Sequence, residues 1–193
     1  MRSLRWMKHA LAALPLLAIW SCAANSRGSV DSVTPRDATV YRAALDSIAT
    51  PGKTIILVDS TGFLNSAIID LGSDLRYAKL PEETVQRFLQ LNQRSLHLDG
   101  GSFAGRPVRL IAFRDLPFSS PLSDDNWSRF GALYPDADGF YRVSRIAYNR
   151  DGKTAVVHVE NGCGSLCGAG KIVILRAGQR GWSVVQVFET WNA

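Results

Sequence analysis

The stretch NGCGSLCGAG, residues 161–170, contains four glycines and two cysteines and separates two apolar segments. Before it, apolar residues alternate along residues 155–160, and after it residues 172–175 are continuously apolar. Alternation and short apolar runs are typical of strands, so the two segments are predicted to pair as an antiparallel hairpin. The glycine-cysteine segment itself is predicted to be a wide connection between them, because glycine and serine favour loops.

Turn sequences on both sides extend this hairpin into a meander. Asn-Arg-Asp-Gly at residues 149–152 places a glycine where a turn needs a positive φ, and Ala-Gly-Gln-Arg-Gly at residues 177–181 is a second turn. Strands are predicted at residues 141–149 and 182–191, before the first turn and after the second. Successive strands joined by short turns predict an antiparallel β-meander at the C-terminus.

Helix signals precede the meander. Thr34 followed by Pro35 and by an acid at Asp37 is a good helix start, and that helix ends before residues 51–52. A buried strand is predicted at residues 53–60, a second helix from Pro81 and a third, short one from Asp124. The predicted class is α+β, one domain over residues 34–193 with two or three helices ahead of the meander.

The N-terminus has the features of a targeting segment. Three basic residues precede an apolar run at residues 11–20 that is too short to span a bilayer as a mature helix. The basic residues are Arg2, Arg5 and Lys8. The run ends in Ile19-Trp20-Ser21-Cys22, which resembles the lipobox of bacterial lipoproteins, although Trp20 departs from the usual smaller residue. An ordinary secretory cleavage after Ala24 is the alternative.

The lipobox resemblance implies cleavage before Cys22 and acylation of that cysteine. It divides the chain into a signal peptide at 1–21, a flexible polar tether at 22–33 and the domain at 34–193. Ala23 in place of Asp resembles lipoproteins sorted to the outer membrane. We therefore expect an exported chain, lipid-anchored in the bacterial envelope through Cys22 and facing the periplasm from the outer membrane.

Export changes the interpretation of charge. The formal net charge of +5 includes the three basic residues of the signal peptide. From Cys22 onward the chain holds 19 Lys and Arg residues (22 less 3) against 17 Asp and Glu residues, a net charge of +2. Nucleic-acid binding needs a concentrated basic face, so no nucleic-acid partner is predicted.

The remaining cysteines are predicted to form a disulfide. With Cys22 acylated, Cys163 and Cys167 are the two left, and an oxidising compartment favours their pairing. A loop this small contributes about 2 kcal/mol in the chain-entropy model. A redox dithiol is the less favoured alternative, because such motifs usually have two intervening residues and a following helix, and here three residues and a strand follow Cys163. Anion binding by backbone N–H groups of residues 164–170 is a third possibility.

No catalytic residue is assigned. Ser165 lacks both glycines of a nucleophile elbow, and His158 is expected on the solvent side of its strand beside Glu160. The sequence from Asp59 to Gly62 resembles the aspartic-protease motif but has one residue too many, so a turn after a strand is the preferred interpretation. An exported hydrolase using His158, Ser165 or Asp59 is the alternative function.

No metal site or cofactor is predicted either. Residues 136–139 and 149–152 resemble pieces of a calcium loop, but Arg145 and His158 stand where the bidentate glutamate would be. Both segments are therefore predicted to be turns. Two cysteines without nearby histidines cannot fill a zinc site.

The C-terminal region resembles one group of proteins. The segments 144–152, 155–157 and 163–170, with Gly181-Trp182 and Trp191, are similar to the C-terminus of uncharacterised bacterial exported proteins. This resemblance implies an arrangement and no activity. The leading hypothesis is a membrane-tethered, non-catalytic domain that binds a protein or small ligand through its sheet face and the glycine-cysteine segment. The candidate contact residues of that segment are Gly162, Gly164, Ser165, Gly168 and Gly170.

Overall fold

The computed structural model describes residues 32–63, 71–103, 107–118 and 124–193. The predicted signal peptide, Cys22 and all of the tether except Ser32 and Val33 lie outside these residues. The elements in chain order are α1 (Pro35–Ile48), β1 (Thr54–Val58), α2 (Leu71–Tyr77), α3 (Glu82–Leu91), β2 (Val108–Ile111), α4 (Asp124–Leu133), β3 (Ala137–Val143), β4 (Ala147–Tyr148), β5 (Thr154–Gly164), β6 (Cys167–Gly178) and β7 (Gly181–Asn192). None of the helices in the described ranges is both long and apolar enough to cross a membrane.

One mixed sheet runs through the domain in the order β2-β1-β3-β5-β6-β7, with β4 paired to β5. The strands β3, β5, β6 and β7 are antiparallel neighbours, which confirms the α+β class and the C-terminal meander. The strand β1 is parallel to both β2 and β3. Its residues from Ile55 to Val58 are buried on both faces, as their continuous apolar run predicted.

The helix starts agree with their sequence signals. At α1 the Thr34 hydroxyl accepts from the backbone N–H of Asp37 at 3.2 Å, and the Asp37 carboxylate accepts from the N–H of Thr34 at 2.9 Å. This reciprocal box satisfies two donors that the helix leaves free. The helices predicted from Pro81 and Asp124 are α3 and α4. The described residues also form α2, a helix that was not predicted from the sequence. Its seven residues are too few to show a clear helical periodicity.

Helices cover both faces of the sheet. The helix α1 packs Val40, Tyr41 and Leu45 on one face, against residues such as Val157 and Val173. The opposite face is covered in two places: α2 and α3 pack over Val156 and Ile172, and α4 packs over Ile56 and Phe140. Both faces of the central strands are therefore buried.

The strand and the turn predicted around β3 were wrong in detail. The single strand predicted at residues 141–149 is two strands, β3 and β4, and of residues 136–139, predicted as a turn, all but Asp136 belong to β3. Pairing with β1 extends β3, since the N–H of Thr54 donates to the carbonyl of Asp136 at 2.9 Å. The turn at residues 149–152 is confirmed, with Gly152 at φ 70° and its N–H donating to the Asn149 carbonyl at 3.0 Å.

The glycine-cysteine segment is not a wide connection. The pairing of β5 with β6 continues through Glu160↔Gly170 and Gly162↔Gly168 to Gly164↔Cys167, leaving Ser165 and Leu166 between the two strands. A wide loop would leave the backbone groups of eight or so residues unpaired, and the sheet pairs them instead. The segment is the closed end of a long hairpin.

Candidate functional site

A disulfide closes the tip of the β5–β6 hairpin. Cys163 and Cys167 are bonded, with 5.0 Å between their Cα atoms, which confirms the predicted pairing. A Cβ added at Gly164 would lie 3.0 Å from the Cβ of Cys167, so glycine leaves room for the cross-link beside the turn. Covalent closure and strand pairing hold this turn in one shape.

The turn presents one apolar side chain to solvent. Ser165 and Leu166 are both exposed, and Leu166 exposes 88% of its surface. No other large apolar side chain in the described ranges is as exposed. A leucine in this position buries little surface in the domain, so it contributes little to folding through apolar burial.

The other glycines of the segment accommodate aromatic rings. A Cβ at Gly162 would lie 2.9 Å from the ring of Phe140, and one at Gly168 would lie 3.1 Å from Cζ3 of Trp191. At Gly170 a Cβ would collide with the Trp191 indole. These glycines therefore allow close packing on the strand surface, a role of strand glycines that is distinct from loop flexibility. Their predicted contact with a partner stays a prediction.

The backbone of this segment serves the sheet. Residues from Cys167 onward pair with β5, and from Ala169 they also pair with β7 on the other side. Their N–H groups therefore do not converge into the concave nest that anion binding requires. Within the described hairpin, this removes the basis for the anion-binding alternative.

A buried polar cluster lies on the face that carries α2, α3 and α4. His158 and Glu160 of β5 are both completely buried, so the expectation that His158 faces solvent was wrong. The physical reason is that helices cover both faces of β5, and the face of His158 is also that of Val156 and Ile172. Phe63 lies against the imidazole, with 5.6 Å between the ring centroids.

Hydrogen bonds connect the cluster to β7 and β3. The indole N–H of Trp191 donates to Oε1 of Glu160 at 3.2 Å, and His158 Nε2 and Thr190 Oγ1 share a hydrogen bond of 2.9 Å. Arg142 of β3 stands opposite Glu160 in register, and its Nη1 donates to the Phe63 carbonyl at 2.9 Å. Cross-strand neighbours of opposite charge attract, which favours this register.

Burial decides the protonation of the histidine. It lowers the pKa of His158 to about 3, so the imidazole is neutral at pH 7. Its Nδ1 lies 3.9 Å from Glu160 Oε1, too far for a hydrogen bond. Burial also lowers the pKa of Arg142, and the negative charge of Glu160 opposes that shift. A neutral histidine without access to solvent cannot exchange protons with a substrate in this conformation.

The residues considered for hydrolysis are not brought together. Ser165 lies at the hairpin tip, about 20 Å along the strand from His158 at the usual rise per residue. Asp59 lies beyond the end of β1, where its N–H donates to the Ile111 carbonyl at 2.9 Å and its carbonyl accepts from Leu98 at 2.7 Å. These bonds are those of a chain leaving a strand. No triad forms among Asp59, His158 and Ser165.

The Asp59–Gly62 segment has a structural role. The Thr61 hydroxyl is buried and accepts from the N–H of Leu96 at 2.8 Å, and Gly62 lies directly against the guanidinium of Arg142. The segment thus leads to Phe63, whose carbonyl and ring contact Arg142 and His158. Sequence reasoning missed Arg142, Thr190 and Trp191 as members of this cluster. The available signal was the glycine pair Gly168 and Gly170, which is compatible with a large side chain packed on the strand and equally with a loop.

Neither a search for metal ligands nor comparison with known proteins points to a function. In the part of the chain that the structure describes, no group of three or more His, Cys, Asp or Glu side chains is placed to hold a metal ion. No protein-family model, curated protein or solved structure matches the chain. Function must therefore be inferred from the surfaces and buried groups of this chain.

Proposed function

We propose that this chain is a non-catalytic interaction domain of the bacterial envelope, tethered to the membrane through acylated Cys22, and that it contacts its partner through the hairpin tip. The observation that carries the proposal is the exposure of Leu166 on a turn closed by the Cys163–Cys167 disulfide. An exposed apolar side chain on a rigid support can bury its surface against a partner while little backbone has to be ordered.

Rigidity favours binding through this tip. The disulfide and the pairing of β5 with β6 fix the turn before a partner arrives, and β7 supports β6 from its other side. Association then orders little additional backbone, so less of the interaction energy is lost to conformational entropy. A flexible loop of the same composition would bind more weakly for the same contacts.

The buried cluster supports a non-catalytic role. His158 is the histidine that sequence analysis considered for catalysis, and it is neutral and sealed from solvent. Thr190 shares a hydrogen bond with His158 Nε2, and Trp191 donates one to Glu160 inside the domain. Among the described residues, His158 Nδ1 has no hydrogen-bond partner. Hydrogen bonds between buried side chains favour the packing arrangement in which they form.

Site-specific photo-crosslinking tests the tip. A photoreactive residue at position 165 leaves Leu166 intact, and one at position 179 probes the exposed turn at the other end of β6 as a matched control. In cells of the native host we expect a discrete crosslinked product from position 165 and none from position 179. Adding Leu166→Asp should lower the product at least about tenfold, the effect of losing about 1.4 kcal/mol of contact. Equal labelling from both positions, or indifference to Leu166→Asp, would exclude the tip as the docking surface.

A separate experiment tests the anchor. Metabolic labelling with a fatty acid should mark the full chain and not the Cys22→Ser variant, which should also leave the membrane fraction. Several acyl chains anchor firmly, at about 0.8 kcal/mol for each buried CH2, so partial release is not expected for the unaltered chain. Unlabelled chain that begins at Asn25 would instead establish ordinary secretory cleavage after Ala24.

A further inference from the structure

A small pocket lies on the α4 face of the sheet, where β1 and β3 begin and α4 ends. Its volume is about 140 Å³, and its lining includes Ile56, Arg109, Tyr134 and Asp136. A cavity of about this size holds a molecule as large as benzene. Neither Cys163 nor Cys167, nor the turn residues between them, lines the pocket.

The body of the pocket is apolar. Ile56 is 1% exposed and Tyr134 is 8% exposed, so both are fixed by the core beneath them. Leu133 and Pro135 continue the apolar lining, and Leu133 exposes 58% of its surface. An apolar ligand group entering here would remove the exposed surface of Leu133 from water.

One cation is positioned at this pocket. Arg109 pairs in register with Ile56, which places both side chains on the same face of the sheet. Its guanidinium lies over the ring of Tyr134, with 5.0 Å from the central carbon to the ring centroid. Across the described ranges no carboxylate forms an ion pair with it. Stacking restrains the guanidinium and leaves its edge N–H groups available to a planar anion.

We propose that this pocket binds a small monocarboxylate with an apolar body of roughly four to six carbon atoms, a size set by the cavity volume. Arg109 would donate two parallel hydrogen bonds to the carboxylate, and Tyr134, Leu133 and Ile56 would enclose the apolar part. A monoanion is favoured over a phosphate dianion because the lining supplies a single cation, Arg109, and its one carboxylate, Asp136, repels the dianion more strongly. The proposal does not depend on the hairpin tip or on the lipid anchor.

The test is an NMR titration of the full chain with 4-methylpentanoate, with its uncharged amide and with inorganic phosphate. We expect saturable shifts of the Thr54 and Ala137 amides with a Kd of about 1 mM or lower, and at least about tenfold weaker binding of the amide and of phosphate. Arg109→Gln should weaken carboxylate binding at least about tenfold. Arg114→Gln is the matched control, because Arg114 is exposed, pairs with Asp115 and lies outside the pocket lining.

Four results would overturn the proposal. They are the absence of saturable shifts at about 20 mM carboxylate, equal binding of the amide, tighter binding of phosphate, and unchanged affinity in Arg109→Gln. Because Arg109 is exposed on an edge strand, this variant should keep the dispersed amide spectrum of the folded domain, and the spectrum itself checks that it does.

Discussion

The indole nitrogen of Trp191 lies 3.2 Å from Oε1 of Glu160 and donates a hydrogen bond to it from across β6. The same ring covers Gly168 and Gly170, and Gly170 lies between the two residues in register. The end of the chain therefore closes a buried carboxylate off from water. A buried charge is tolerated only where hydrogen bonds and opposite charges replace its hydration.

Replacing Trp191 by phenylalanine should therefore be costly. Trp191→Phe keeps an aromatic ring over the glycines and removes the N–H that Glu160 accepts from, so we expect a loss of about 1–3 kcal/mol in the free energy of unfolding. Urea unfolding measures it. Trp182→Phe at the other end of β7 is the control, because no hydrogen bond is formed by its indole nitrogen within the described structure. A similar small loss in both variants would contradict the role of the Trp191–Glu160 hydrogen bond.

The second prediction concerns the glycine beneath the ring. Gly170→Ala places a methyl group where the Trp191 indole lies, and such overpacking costs about 1–3 kcal/mol. Gly178→Ala in the same strand is the matched control, since its added Cβ would meet its nearest neighbour, the carbonyl of Gly181, at an ordinary 3.6 Å. We expect the control to stay within about 0.5 kcal/mol of the unaltered chain. If the two substitutions unfold at the same urea concentration, Trp191 does not need a glycine beneath it.

The third prediction is a pH dependence. The pKa of His158 is about 3 in the folded state and 6.5 in its ordinary environment, so the unfolded chain binds more protons between these values. Stability from this group is complete above about pH 6.5 and decreases as the pH falls toward 3. Between pH 7 and pH 5 the loss should reach up to about 2 kcal/mol.

Substitution isolates the His158 contribution. The difference in unfolding free energy between the unaltered chain and His158→Gln should shrink by that amount from pH 7 to pH 5. His97→Gln is the control, because His97 is exposed. A difference that stays constant over this range would mean that His158 titrates in the folded state as it does in the unfolded chain.

The fourth prediction separates folding from closure of the tip. Replacing both Cys163 and Cys167 by alanine should lower the free energy of unfolding by about 2 kcal/mol in the chain-entropy model, while the circular dichroism of the sheet is retained. The fold should persist because β5 and β6 remain paired over most of their length. Loss of cooperative unfolding in this variant would show that the disulfide is needed for the fold and not only for the tip.

Local signals predicted much of the fold. The capping box at Thr34, the buried run of β1, the turn at residues 149–152 and the cysteine pair each depend on a few neighbouring residues, and all were confirmed. The parallel pairing of β1 with β2 and β3 was not predicted. It joins strands that are about 50 and 80 residues apart in the chain, and no local pattern specifies such a contact.

The alternation of side chains along β5 did not indicate which face of the strand is exposed to solvent. Val157 and Val159 point to one face and Val156, His158 and Glu160 to the other, so both faces carry apolar residues and neither is marked as exposed. Helices packed on both faces bury His158 and Glu160. In the same way, the composition of residues 161–170 established that small residues were required, but both a loop and a crowded strand require them. The position of Trp191, brought over Gly168 and Gly170 by the pairing of β6 with β7, distinguishes the two, because a ring can lie that close to the backbone only where no side chain intervenes.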